Sequence, residues 1–291
     1  MVKKLFSFFA LAAMTGCFSL EPFYFMEEPL EKYLDPEDMK ENEHYRGIIP
    51  SELIAADSFQ ISSGFIYGFW ALHPGDTLSD TTMPFNQKAT ILYSHGNSGN
   101  INGYWDRVEL LWEMGYRVYI YDYPGFGRSD GAPSSENCLE SAKGALARLL
   151  AQKMVDTSKI VFYGYSLGGY MTTYLASDVL SPGVVILESA PASTRAFMKD
   201  SGLLGLPGGI VSGDDFDSEK RIANIGCPLL MMHGRNDSYV VFEHNALALW
   251  ELANDPKDSF WVEGAGHGDV PYVAGDEYST KVKELIDSIL P

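Results

Sequence analysis

The stretch "KIVFYGYSLGGYMTTYLA", Lys159 to Ala176, carries Ser166 between an apolar run and a segment with helical character. Two readings compete for that serine. It is either a nucleophile lifted on a strained turn or a bystander in a glycine-softened helix start. Gly164-Tyr165-Ser166-Leu167-Gly168 fits the pattern Gly-x-Ser-x-Gly. A sharp strand-to-helix turn forces its central residue into an unfavourable backbone conformation and raises its side chain clear of the sheet. Side chains two positions before and two after would collide across such a turn, so both positions take glycine. The helix that follows directs free N–H groups and the positive end of its dipole back at the serine.

A serine hydroxyl is a weak nucleophile at neutral pH and needs a base, which in turn needs an acid to orient it. On a strand-turn-helix serine these partners follow along the chain as acid, then histidine. "MMHGRNDSYV" (Met231–Val240) places Asp237 just past an apolar run, and "WVEGAGHGDV" (Trp261–Val270) places His267 just past the last one. Glu188 also follows an apolar run and competes as the acid, whereas Asp269 stands too close in sequence to His267 to orient it. His95 and His233 each precede a glycine at the end of an apolar run and read as loop-shaping residues. His44, His73 and His244 default to the surface. Donors for a developing oxyanion are expected from the backbone N–H of Leu167, after the serine, and from that of Asn97 in "ILYSHGNSGN".

Outward from this core, apolar runs alternate with helical segments. Phe65–Leu72, Ala89–Gly96, Tyr116–Gly125, Gly183–Ser189, Cys227–Gly234 and Ser259–Gly266 read as strands. Tyr104–Met114, Ser135–Gln152, Leu167–Val179 and Ser279–Leu290 read as helices, with Leu139, Ala142, Ala145, Leu146 and Leu149 on one face of the second. Near-continuous apolar strands separated by helices predict a parallel sheet covered on both faces, with its site at the carboxyl ends of the strands.

The 291 residues carry 21 Lys and Arg against 39 Asp and Glu, a net charge of −18, which argues against a phosphate-backbone partner. No zinc-protease, P-loop or dinucleotide fingerprint occurs, so neither a metal nor a cofactor is expected. At the N-terminus, Lys3 and Lys4 precede the apolar run Leu5–Met14 and then "TGC", Thr15 to Cys17. That run falls short of the roughly 20 residues a membrane-spanning helix requires. It reads as a secretory signal. Cysteine after small residues resembles the lipobox of bacterial lipoproteins, although Met14 stands where leucine is usual. The resemblance implies cleavage before Cys17, lipidation of its thiol and a place in the cell envelope. Phe18 after the cysteine, rather than aspartate, resembles the outer-membrane sorting signal of a Gram-negative source. Cys138 and Cys227 should lie toward opposite ends of the sheet and remain free. The expected organisation is a signal peptide over 1–16, a lipidated tether over 17–50 that partly packs on the domain, and the domain itself over 51–291.

The segments "SHGNSGN", "DYPGFGRSDG", "GYSLGG", "LESAP", "HGRND" and "GAGHGD" occur in the order found in serine hydrolases of the α/β-hydrolase superfamily. The chain resembles that superfamily over most of 51–291, and in particular its branch with little or no cap domain. The resemblance implies an α/β-hydrolase fold: a mostly parallel central sheet, helices on both faces and a short lid insertion. It makes Ser166 the nucleophile, His267 the base, Asp237 the acid, and Asn97 and Leu167 the oxyanion donors. Pro124–Gly131 would shape one wall. The implied reaction is cleavage of an ester or thioester in a small-molecule or lipid-like acyl substrate. A peptidase on the same residues, and a surface-anchored binding protein on an inactive hydrolase fold, are the alternatives. The apolar, glycine-rich segment Ala196–Phe216 is expected to act as a flap over Ser166.

Overall fold

A computed structural model describes residues 24–34, 44–76, 89–152, 156–200 and 216–289. Its centre is an eight-stranded sheet. The strands are β2 (Ile54–Ile61), β3 (Gly64–Ala71), β4 (Thr90–Ser94), β6 (Arg117–Tyr121), β7 (Ile160–Tyr165), β8 (Val184–Glu188), β9 (Leu229–Gly234) and β10 (Lys257–Val262). Two short strands, β1 (Met26–Glu27) and β5 (Ser98–Gly99), pair with each other outside it. The order across the large sheet is β10-β9-β8-β7-β4-β6-β3-β2. Only β3 departs from parallel pairing, running antiparallel to both β2 and β6. The mostly parallel sheet matches the expectation. The hairpin partner β2 was not foreseen, because "IAADSFQI" has no continuous apolar run. It is an edge strand whose alternate residues are exposed, and its partner β3 supplies its register.

Residues on adjacent strand positions feed two separate cores, as two-faced burial requires. Leu92, Tyr119, Phe162 and Leu187 lie in one core, while Tyr93, Ile120, Tyr163 and Ile186 lie in the other. Helix α1 (Trp105–Glu113) and the C-terminal α8 (Asp276–Asp287) cover the second face through Trp105, Val108, Leu111, Tyr278, Val282 and Ile286. The first face is covered by α2 (Ser135–Leu150) and α3 (Gly168–Tyr174). The Ser134 hydroxyl starts α2 by accepting the Asn137 N–H at 3.1 Å, and all five of its expected core positions are buried. The helix after Ser166 is α-helical to Tyr174 and then continues as a single π turn, Leu175–Val179. Four further short α-helices are α4 (Thr194–Asp200), α5 (Glu219–Ile222), α6 (Ala246–Leu252) and α7 (Val270–Ala274).

The segment 24–34 is a strap laid across the carboxyl edge of the sheet. β1 adds to β5, the Leu30 N–H donates to the Gly127 carbonyl at 2.7 Å, and the Tyr33 hydroxyl donates to Asp122. Pro124–Gly131, expected to wall the site, therefore also clamps the strap. Cys138 and Cys227 are free and buried. Cys17 lies outside the described residues, as does most of the expected flap, 201–215. The chain on either side of that flap is joined, since Ser193 and Asp217 form an antiparallel bridge.

Candidate active site

Ser166 follows β7 directly and has φ of +50°, a left-handed value that a side chain adopts only at an energetic cost. Close packing on both sides holds it there. A Cβ at Gly164 would lie 2.5 Å from the Gly168 carbonyl oxygen, and one at Gly168 only 1.9 Å from that of Ser94. The two motif glycines thus let α3 approach both its own strand and the neighbouring β4. The Ser166 N–H donates to the Glu188 carbonyl at 2.9 Å, which fixes the turn to β8. Ser166 therefore stands on a strained strand-to-helix turn and does not begin a softened helix.

Asp237 and His267 reach it from the loops after β9 and β10. His267 Nε2 stands 2.9 Å from Ser166 Oγ, and its Nδ1 stands 2.8 Å from Asp237 Oδ2. A carboxylate only accepts, so Nδ1 carries the ring proton and Nε2 is left to accept from the serine hydroxyl. Three residues from three loops, up to 101 positions apart in the chain, form one hydrogen-bonded line. Asp237 is locked from behind: its Oδ1 accepts the Tyr239 and Val240 N–H groups, each at 2.8 Å. His233 adds a fourth support, with Nε2 3.2 Å from Asp237 Oδ2 and 2.7 Å from the Val240 carbonyl. Burial by itself would raise the Asp237 carboxyl, but hydrogen bonds from His233 and His267 overcome it and hold the group well below the usual carboxylate range. Asp237 therefore stays ionised at any pH at which the protein is expected to work.

The competing residues are used elsewhere. Glu188 is fully buried and accepts from the Tyr163 hydroxyl, with Arg107 Nη2 3.0 Å from its Oε1. The same Arg107 donates to the Gly268 carbonyl at 2.8 Å and lies over the Tyr165 ring at 4.1 Å. Glu188 is thus engaged by Tyr163 and Arg107, and through Arg107 it anchors the loop that carries His267. Asp269 accepts the Gly266 N–H at 2.6 Å and shapes that loop. His95 is buried with its Nε2 3.1 Å from Asp122 Oδ1. His73, assigned to the surface from sequence, is half-buried, stacked on Trp112 and 3.1 Å from the Tyr116 carbonyl. His44 and His244 are exposed. Arg107 gave no sequence signal, because a charged residue early in an amphipathic helix reads as solvent-facing.

Among the described residues, no acceptor takes the backbone N–H of Leu167 or of Asn97, which leaves both expected oxyanion donors available. The Asn97 side chain is occupied. It donates to the Tyr24 carbonyl at 2.6 Å and accepts the Met26 N–H at 3.2 Å, so the strap grips the loop that presents its N–H. Tyr24 also packs edge-on against Phe197 at the start of the expected flap.

Residues 89–198 match the family described as the α/β-hydrolase fold. The chain is 31% identical over 221 residues to the protein YfhR of Escherichia coli (strain K12), covering 73% of this chain and 75% of that one. The chain belongs to the α/β-hydrolase superfamily. It is also 28% identical over 208 residues to human alpha/beta hydrolase domain-containing protein 17B, covering 70% of this chain and 68% of that one. In architecture this α/β-hydrolase resembles the Pyrococcus furiosus esterase Pf2001, with a TM-score of 0.67 at 17% identity over 91% of this chain and 97% of that one.

Proposed function

We propose that this α/β-hydrolase is a serine hydrolase that cleaves carboxylic ester or thioester bonds through an acyl-enzyme. The observation that carries the proposal is the line Asp237–His267–Ser166, ending on a serine held at φ of +50°. In the first half-reaction, Ser166 Oγ bonds to the substrate carbonyl carbon as His267 Nε2 takes its proton. The oxyanion that forms is met by the N–H groups of Leu167 and Asn97. One such donor is worth about 3–4 kcal/mol of barrier in comparable sites. The tetrahedral species then collapses, breaking the bond to the alcohol or thiol, and the leaving group departs with the proton from His267. Water repeats the sequence on the acyl-enzyme, with His267 as base and Ser166 as the leaving group. Asp237 remains ionised throughout and stabilises the imidazolium in both halves.

The purified protein is expected to turn over p-nitrophenyl acetate and short-chain acyl thioesters, and to leave peptide anilides intact. A clear preference for the anilides would replace the esterase reading with the peptidase one.

For the N-terminus, we propose removal of residues 1–16, a thioether-linked lipid on Cys17 and residence in the cell envelope. A diacylglycerol with a further N-acyl chain exceeds the two signals that stable membrane attachment requires. Mass spectrometry of protein extracted from membranes is expected to find the mature chain beginning at a lipid-modified Cys17. A soluble chain with an unmodified Cys17 thiol would refute the anchor.

A further inference from the structure

A cleft of about 740 Å³ adjoins the candidate site. Three of its lining residues are the immediate neighbours of site residues: Ser98 follows Asn97, Tyr165 precedes Ser166 and Gly268 follows His267. A group entering the cleft therefore stands beside the loops that hold the nucleophile, the base and one oxyanion donor.

The polar chemistry of this cleft is incomplete. Asn102 Oδ1, Asp106 Oδ1 and Arg107 Nη1 are buried atoms without a hydrogen-bond partner among the described residues, and all three residues line the cleft. Asp106 is 8% exposed and Arg107 4% exposed. Buried polar atoms are nearly always paired, so a cluster of unpaired ones at a cavity indicates a missing partner. Two of the three atoms are acceptors and the third is a donor, so the missing partner must supply donors to Asn102 and Asp106 and an acceptor to Arg107. Charge points the same way. The lining carries one guanidinium, Arg107, already paired at 3.0 Å with Glu188 behind it, together with the carboxylates of Asp106 and the exposed Glu28 and the exposed imidazole of His44. The other Asp106 oxygen is bonded by the neutral Tyr272 hydroxyl, which brings no positive charge.

We propose that the cleft receives the leaving group of the acyl substrate and selects one that carries a protonated amine. The preferred substrate is then an ester of an amino alcohol, its N–H directed at Asp106 and Asn102 and its charge matched by Asp106 and Glu28. This assignment rests on the hydrolase reading above.

Two butyrate esters of nearly equal shape test it near neutral pH, where the amine is protonated: 2-(dimethylamino)ethyl butyrate and the neutral 3-methylbutyl butyrate. The wild type is expected to favour the charged ester in kcat/KM by about tenfold, chiefly through KM, as one partly desolvated charge pair allows. Asp106→Asn and Glu28→Gln should each bring the ratio toward unity. The chain has open space at Gly103, where a Cβ would meet nothing within 4 Å. Gly103→Trp is therefore expected to slow both esters relative to methyl butyrate. Calorimetric titration of Ser166→Ala with the two esters reads the same preference without turnover.

Equal kcat/KM for the two esters in an enzyme that hydrolyses both overturns the cleft assignment and leaves the hydrolase reading standing. A preference that survives both carboxylate substitutions also overturns it. Preferential binding of the charged ester to Ser166→Ala, with no turnover by the wild type, removes the hydrolase reading and the leaving-group role with it.

Discussion

Ser166→Ala is expected to abolish labelling by a fluorophosphonate probe and to lower ester turnover by about 10⁴- to 10⁶-fold. The substitution removes only Oγ, the atom 2.9 Å from His267 Nε2, and the packing that holds the turn does not involve that atom. The fold should therefore survive, and an unchanged melting temperature is part of the expected result. Asp237→Asn tests the far end of the same line. An amide can present N–H rather than oxygen to His267 Nδ1, which would invert the tautomer and leave Nε2 unable to accept the serine proton. A loss of about 10⁴-fold in kcat with little change in KM is expected. Because the Asp237 carboxyl is held well below its usual range, any fall in rate at acid pH should follow protonation of an imidazole, not of this carboxylate. Labelling that persists in Ser166→Ala would end the assignment of the nucleophile, and a wild-type rate independent of pH on the acid side would end that of a histidine base.

Gly168→Ala is the second large effect. The added carbon would lie 1.9 Å from the Ser94 carbonyl oxygen, 2.5 Å from its carbon and 2.9 Å from the His95 carbonyl oxygen. All three atoms are backbone at the end of a central strand, so no flexible side chain can yield. Helix α3 must instead withdraw from β4. Overpacking of this kind costs about 3 kcal/mol or more, which lowers the melting temperature of a domain this large by roughly 6–12 °C. Activity should fall further than the loss of folded protein explains, because the same withdrawal moves Ser166 and the Leu167 N–H relative to the Asn97 loop. Gly103→Ala, placed where a Cβ meets nothing within 4 Å, is the matched control and should leave the melting temperature within about 2 °C. Equal melting curves for the two variants would show that α3 and β4 are not held as closely as these distances state.

The three residues of the hydrogen-bonded line were legible in sequence for a chemical reason. A nucleophile, a base and an acid must each stand on a loop at the carboxyl end of a strand, and few residues of the right type do so. The competition between Asp237 and Glu188 was not decidable that way, since both follow apolar strands. It was decided by Arg107, whose helix reads as an ordinary amphipathic one and whose burial depends on a carboxylate far along the chain. Nonlocal pairing leaves no periodic trace. The same holds for Asn97, whose backbone N–H was expected to serve as an oxyanion donor while its side-chain grip on Tyr24 and Met26 was not foreseen. Strand β2 and the strap share this origin: neither carries a strong local pattern, and each takes its form from the neighbour it pairs with.

The strap also bears on where chemistry can take place. It enters the described fold at Tyr24, whose carbonyl holds the Asn97 side chain beside the candidate site. Only seven residue steps separate Tyr24 from Cys17, and seven residues extend no further than about 25 Å. A lipid on Cys17 would therefore hold the candidate site on a short leash, close to the sheet of lipid in which the anchor is buried. Molecules lying in that sheet would be found by lateral diffusion over a surface, whereas dissolved ones would have to arrive from the bulk. Lengthening the leash would weaken that preference for the surface pool and leave every bond within the site as it is.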